Sequence, residues 1–325
     1  MNRKKNIITL ILTIVLIAIG INYLGVILRP TDTDGAYQQC ESFHSLPDNS
    51  VEVIVYGSSH SYRGFDVREL YEKYGIGAYN YSWNWQRINT TKAFIKDSFS
   101  SQKPKVVIIE SYFTNELLKD SEINAEIYYS RYLHDKKVIN DYVHECLGNN
   151  LKTNLAFYMP LYAFHDNWID ISLKSLIPPT YNGELQNTMG FCGSSAVMEL
   201  DIPDQNSKSQ QSFSQEAIDN LDEIVNFCRE NGADIVFYTT PFEWVYEYAN
   251  AMKEYCNSRN CAYINTFDYF DEIGIDEKKD FADDGHLNSY GAIKVADYIG
   301  DFISKNYKLT DMRTIEGNVW EKNFK

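Results

Sequence analysis

The chain has 325 residues, 44% of them hydrophobic and 14% aromatic, and its 30 Lys plus Arg face 45 Asp plus Glu for a formal net charge of -15. That apolar content excludes global disorder, and the acidic balance, with no basic patch to override it, argues against nucleic acid as a partner. The length is enough to bury a full core, so one large domain or two small ones are expected.

Residues 1–6 form a basic tip that includes Arg3, Lys4 and Lys5. Residues 7–28, from Ile7 to Leu28, carry no charge and are mostly Ile, Leu and Val. As a helix rising about 1.5 Å per residue this stretch spans roughly 33 Å, enough for the hydrocarbon core of a bilayer. A secretory signal is the rival reading, but its apolar part would be shorter and end in a small-x-small cleavage site, so an uncleaved anchor is favoured. The positive charges lie ahead of the segment and only Arg29 directly follows it, which predicts a cytoplasmic N-terminus and an exported body on a single-pass anchor. Residues 29–50, with Asp32, Asp34, Gly35, Pro47 and Asp48, read as a polar linker.

From residue 51 the pattern changes. Val51–Tyr56 is a β-rich run ending at Gly57, and similar runs recur at Ala78–Tyr81, Val106–Ile109, Ile235–Tyr238 and Ala262–Ile264. Helical periodicity fills most intervals. Asp66 and Glu69 have the spacing of a capping box, and Ser214 caps a helix with Ile218, Leu221, Ile224, Val225 and Cys228 on its apolar face. Asn231-Gly232 supplies its left-handed stop. A last helix is expected from about Ser289 to Asn306, with Ile293, Ala296, Ile299 and Phe302 inward. Residues 115–213 break the rhythm and read as a partly helical insertion, a lid or subdomain, and residues 309–325 as a C-terminal tail. Strands alternating with helices predict a three-layer α/β/α domain over 51–308 with a parallel sheet, and chemistry at the carboxyl ends of its strands.

Six cysteines, Cys40, Cys146, Cys192, Cys228, Cys256 and Cys261, form no Cys-x-x-Cys pair, which disfavours a zinc knuckle or thioredoxin-type site. An exported body permits disulfides. Cys256 and Cys261 are either a pair or small buried thiols. His134, His144 and His165 lack metal-site spacing, and neither a metal nor another cofactor is expected.

The loop after the first strand reads Gly57-Ser58-Ser59-His60-Ser61, and Asp283-Asp284-Gly285-His286 stands just before the last helix. A serine hydroxyl is a weak nucleophile at neutral pH; it needs a base, and the base needs a carboxylate to fix its tautomer. An Asp three residues before a His supplies both from one turn. Each motif alone has a plainer reading, a polar turn or a helix-capping surface turn. Together, in this order and each at a strand-to-helix junction, they point to catalysis.

These blocks resemble the SGNH, or GDSL-type, hydrolase superfamily. The family's Gly-Asp-Ser turn corresponds to Gly57-Ser58-Ser59, which implies Ser59 as nucleophile, with Ser58 in the place of the usual Asp and kept as the alternative nucleophile. Its Asp-x-x-His block corresponds to Asp283 and His286, and Leu287-Asn288-Ser289-Tyr290-Gly291 continues the likeness. The second block is represented by Asn80-Tyr81-Ser82, so the backbone N–H groups of Ser59 and Ser82 are the implied oxyanion donors. The third block departs: Glu110-Ser111-Tyr112-Phe113-Thr114-Asn115 stands where the family has Gly-x-Asn-Asp. Glu110, Asn115, Arg63 and His60 are candidates for supporting the site or touching substrate. Trp83, Trp85 and Gln86 either stack on a sugar or acyl group or belong to the core.

The serine before the nucleophile and the single anchor bring the chain nearest to membrane-anchored acyl-transfer members, such as the D-alanine-transfer protein of teichoic-acid modification and polysaccharide O-acetyltransferases. The resemblance implies an extracytoplasmic serine acyltransferase or esterase acting on O-acyl groups of surface glycans or glycopolymers through an acyl-serine. It also implies a membrane-bound O-acyltransferase partner on the donor side. A simple carbohydrate or lipid esterase, and a catalytically idle scaffold or glycan-binding module, are the alternatives.

Overall fold

In the computed structural model, which describes residues 2–29, 34–115, 129–146, 148 and 151–323, every expected β-rich run becomes a strand. These are β1 (Val53–Tyr56), β2 (Ala78–Asn80), β3 (Val106–Glu110), β4 (Asp234–Thr239) and β5 (Ala262–Asn265). They pair in parallel in the order β2-β1-β3-β4-β5. β1 and β3 are buried along their whole length, as strands covered on both faces must be, and this is why they read as unbroken apolar runs. The flanking helices pack in pairs: Val67–Tyr74 against Ser289–Asn306, and Ile88–Ser98 against Gln215–Glu230. The fold is the expected α/β layering. Because β2 lies on one side of β1 and β3 on the other, the strand order reverses at β1, and the crevice outside the carboxyl ends of β1 and β3 is where such sheets bind ligands.

Local signals place the helices. Asp66 and Ser214 both cap helices, Ser214 accepting from the Ala217 amide as the sequence suggests, but Asp66 accepts from the Arg68 amide and its own N–H donates to the Ala292 carbonyl, so the capping box expected with Glu69 is not formed. Gly232 adopts φ +81° just beyond helix Gln215–Glu230. The last helix differs in one respect. It buries Ala292, Val295, Ala296, Ile299 and Ile303, whereas Ile293 is 38% exposed and Phe302 half-buried, so the inward stripe is rotated from the expected one.

Two stretches expected to be peripheral are structured by partners distant in sequence. Residues 29–50 contain helix Asp34–His44, whose Phe43 stacks on Tyr81 at 4.2 Å and whose His44 Nε2 lies 2.6 Å from Asp97. The Gln39 side chain donates to the Asn80 carbonyl. Residues 30–33 lie outside the described residues. In the tail, Trp320 is fully buried, stacks near Tyr71 and donates its Nε1–H to the Ala78 carbonyl at 3.1 Å. Trp320→Ala is therefore expected to cost about 3–5 kcal/mol, the range for emptying a buried aromatic site. Chemical denaturation monitored by circular dichroism checks it, and a loss below about 1 kcal/mol would contradict this anchoring role.

The structure divides into two compact units, Met1–Tyr37 with Leu118–Tyr181 and Gln38–Leu117 with Asn182–Lys325. The expected single insertion thus belongs to both, and residues 116–128 of it lie outside the described residues. Its second part joins the sheet unit because backbone bonds fasten it there: Asn80 N to Met189 O at 2.8 Å, Cys192 N to Tyr62 O at 2.8 Å, and Ser289 N to Ser194 O at 2.9 Å. In the first unit, Asn2–Ile27 is one helix, and Lys4–Ile27 is long and apolar enough to cross a membrane. Cys40, Cys192, Cys228, Cys256 and Cys261 are free thiols, so Cys256 and Cys261 are not paired; the Cys146 side chain lies outside the described residues.

Candidate active site

The carboxyl end of β1 turns sharply at Gly57, at φ +155°, into helix Ser59–Gly64. A Cβ at Gly57 would stand 2.6 Å from Glu110 Cβ and 2.8 Å from Ser61 Cβ, so only glycine lets this turn press on the end of β3. The two serines that follow have separate environments. Ser58 is 1% exposed and its Oγ accepts from the His60 amide at 3.3 Å, a helix cap. Ser59, the first helical residue, is half-buried and its Oγ lies 2.7 Å from His286 Nε2.

His286 arrives on a small antiparallel hairpin, β6 (Phe281–Asp283) and β7 (His286–Leu287), in which Asp283 and His286 are paired across the Asp284-Gly285 turn. The Gly285 amide donates to Asp283 Oδ1 at 3.1 Å, an Asx-type turn that holds the carboxylate in place. With its proton on Nδ1, His286 donates to Asp283 Oδ1 at 2.6 Å and leaves Nε2 to accept from Ser59. Asn288 locks the hairpin to the last helix: its Oδ1 accepts from the Tyr290 and Gly291 amides, and its Nδ2 donates to the Lys279, Phe281 and Ala196 carbonyls. Segments 227 positions apart are thereby joined by one hydroxyl–imidazole contact.

Arg63, on the helix that begins at Ser59, places Nη1 3.1 Å from Asp283 Oδ2 and 3.1 Å from His286 Nδ1. Burial works to raise the Asp283 carboxyl, yet the His286 hydrogen bond and the nearby His286 and Arg63 charges hold it below the ordinary value. For His286, burial lowers basicity, the Asp283 hydrogen bond opposes it, the Arg63 charge adds to the lowering, and the ring ends below the usual 6.5. A base must be neutral to accept a proton. With His286 as base, a pH–rate profile is expected to have its acidic limb below 6.5.

The loops that carry Ser59 and Ser82, the oxyanion donors implied by the sequence, adjoin each other. Trp83 N donates to the Gly57 carbonyl at 3.2 Å, and Ser82 Oγ donates to Ser61 Oγ at 2.9 Å, so the loop after β2 runs beside the turn that carries Ser59. Neither the Ser59 nor the Ser82 backbone N–H donates to another group among the described residues. At the third position the Asn115 side chain is engaged elsewhere. It donates to the Tyr248 hydroxyl at 3.0 Å and accepts from the Ser214 amide at 2.9 Å, tying the loop after β3 to the start of helix Gln215–Glu230. Trp83 is half-buried and its ring stacks on Tyr62 at 5.8 Å, while Trp85 is 55% exposed beside Phe113 and Gln86 is buried.

No protein-family model matches the sequence, and no curated protein does. A crystal structure from Bacteroides fragilis, provisionally described as an acylhydrolase, is similar at 11% identity with a TM-score of 0.39, covering 82% of this chain and 94% of that one. The reading of the site rests on its own geometry.

His60, adjacent to the serine, is turned into an aromatic wall. Its ring stacks on Tyr112 at 4.3 Å and meets Phe242 and Trp244 edge-on, and its Nδ1 has no partner among the described residues. Burial, assisted by the His286 charge, pushes it down to about 3, so it stays neutral. His60→Phe is expected to keep activity on an activated ester within about tenfold, whereas loss of a general base costs on the order of a hundredfold to ten-thousandfold. A loss in that larger range would make His60 part of the proton relay. Sequence reasoning missed Tyr112, Phe242 and Trp244; they follow the carboxyl ends of β3 and β4, the places where a parallel sheet collects functional side chains.

Glu110 is the last residue of β3 and 3% exposed, its Oε1 accepting from the Tyr112 amide at 3.1 Å. Burial, partly opposed by that amide, pushes its carboxyl up to about 8. The native state therefore keeps a proton that the unfolded chain releases, and stability falls as pH rises from 4.5 to about 8. Glu110→Gln is expected to flatten that decline in melting temperature across the same interval; an unchanged slope would contradict a protonated Glu110. Among the described residues no three metal-ligating side chains are gathered together.

Proposed function

We propose that the chain is a membrane-anchored serine acyl-transfer enzyme of the SGNH type, with its catalytic unit outside the cytoplasmic membrane, acting on O-acyl groups of surface glycans or glycopolymers. The observation that carries this reading is the relay from Ser59 Oγ to His286 Nε2 at 2.7 Å and from His286 Nδ1 to Asp283 at 2.6 Å. Ser59 Oγ attacks the acyl carbonyl while His286 Nε2 takes its proton. The Ser59 and Ser82 N–H groups receive the developing oxyanion. Collapse breaks the bond to the leaving oxygen, to which His286 returns the proton, leaving an acyl-serine. An acceptor hydroxyl, deprotonated by His286, then takes the acyl group and frees Ser59.

The apolar helix Lys4–Ile27 and the basic residues before it support anchoring with the N-terminus inside. The donor is assigned to a membrane-bound O-acyltransferase partner on resemblance alone. The test reconstitutes the full chain in phosphatidylcholine vesicles with a nitrophenyl acyl ester and a hydroxylated polysaccharide. Transfer to the polysaccharide exceeding release to water is the expected result. Ser59-dependent release to water only would make the protein a plain esterase, and no Ser59-dependent turnover would leave an idle scaffold.

A further inference from the structure

The stretch that follows helix Pro160–Phe164 presents large apolar side chains outward: Trp168 is 66% exposed, Ile169 74% and Leu173 84%, with Ile171, Leu176 and Ile177 also exposed. Scattered exposed apolar residues are ordinary, but a contiguous series of this size marks an interaction surface. Its location narrows the partner. The helix that leads into the stretch is fastened to the end of the N-terminal apolar helix, where Leu28 and Phe164 share a small core with Tyr132, Leu161 and Ala163. At Gly25 a Cβ would lie 2.9 Å from Pro160 Cβ, so the backbone of the N-terminal helix meets helix Pro160–Phe164 directly.

The backbone of this stretch is satisfied in an unusual way. The Arg29 guanidinium, on a residue 3% exposed, donates to the carbonyls of Ser175 at 3.1 Å and Ile177 at 3.0 Å, and to that of Val26 at 2.7 Å. The Tyr23 hydroxyl donates to the Leu176 carbonyl at 3.1 Å, and Asn167 Nδ2 donates to the Leu28 carbonyl at 3.1 Å. Three successive loop carbonyls and two at the helix end thus receive side-chain donors. In water a loop needs no such provision, because solvent supplies the donors; irregular backbone near hydrocarbon requires internal ones.

We propose that residues 165–177 form an interfacial membrane element, with Trp168, Ile169, Leu173 and Ile177 entering the leaflet in which the N-terminal helix ends. Lipid is the occupant because the surface continues the exposed apolar flank of that helix, and Tyr23 and Trp168 are the side-chain types that settle at a bilayer interface. The inference rests on the anchored reading above. It gives the chain a second point of attachment to the bilayer, one that lies flat instead of crossing. Asp166 and Asp170 outnumber Lys174 in this stretch, so the fit is to neutral phosphatidylcholine and not to an anionic surface.

The test uses the full chain in vesicles of phosphatidylcholine, with and without bromine near the head of the acyl chains. The emission of Trp168 is taken as the difference between the native chain and Trp168→Phe. It is expected to lose about half its intensity in brominated lipid, as for a ring roughly 5–10 Å below the headgroups, and to resist aqueous iodide. Quenching by iodide and not by bromine would overturn the proposal, placing the stretch in water. Protection from both quenchers would also overturn it, placing a protein surface there. Alkaline extraction of the same vesicles reads the anchor separately: a chain that stays in the pellet while Trp168 fails the bromine test sinks this inference alone, and a chain released to the supernatant sinks the anchored reading with it.

Discussion

Ser59→Ala is expected to lower turnover of an activated ester by on the order of a thousandfold or more, with little change in KM. Among the described residues the Ser59 hydroxyl bonds only to His286, so the melting temperature should hardly move. Residual rate would come from the two backbone donors, which the substitution leaves in place. Ser58→Ala supplies the contrast. That hydroxyl caps helix Ser59–Gly64, and its loss should cost about 1 kcal/mol of stability while leaving most of the activity. Steady-state kinetics and thermal melts on both variants separate the two serines, and the opposite pattern would transfer the nucleophile to Ser58.

Asp283→Asn is the second large effect, a loss on the order of ten-thousandfold in kcat. The amide would present its NH₂ to a ring that must keep its proton on Nδ1, favouring the wrong tautomer. Arg63 makes the consequence heavier here. Its guanidinium lies 3.1 Å from both Asp283 and His286 Nδ1, and without the carboxylate its charge would stand uncompensated beside an imidazole that must become positive. Asp283 raises the basicity of His286 while burial and Arg63 lower it, so the substitution should also move the acidic limb of the pH profile further down. A lower plateau together with a limb at lower pH is the expected signature. A plateau within about tenfold of the native one would remove Asp283 from the relay.

The sheet was legible because its strands are short runs of buried β-branched and aromatic residues, and the caps at Asp66 and Ser214 act within one helical turn of themselves. Asp283 and His286 were legible for the same reason, since they pair across a two-residue turn. Features set by distant partners were hidden. Nothing near Trp320 announces that its indole N–H will reach the Ala78 carbonyl, and nothing in residues 29–50 announces the stack of Phe43 on Tyr81. Asn115 is the only side-chain amide in its stretch, which drew attention to it, yet the Tyr248 hydroxyl and the Ser214 amide that occupy it come from other elements. The aromatic wall of Tyr112, Phe242 and Trp244 around His60 needed coordinates, because aromatics at strand ends look alike whether they pack inward or line a site.

Mass spectrometry of the native chain after brief exposure to a fluorophosphonate reads the nucleophile directly. The phosphonyl adduct is expected on Ser59 alone, and it should be abolished in Ser59→Ala and strongly slowed in His286→Ala. An adduct that forms at Ser58, or one on Ser59 whose rate is indifferent to His286, would show that the short contact between hydroxyl and imidazole does not make a working nucleophile.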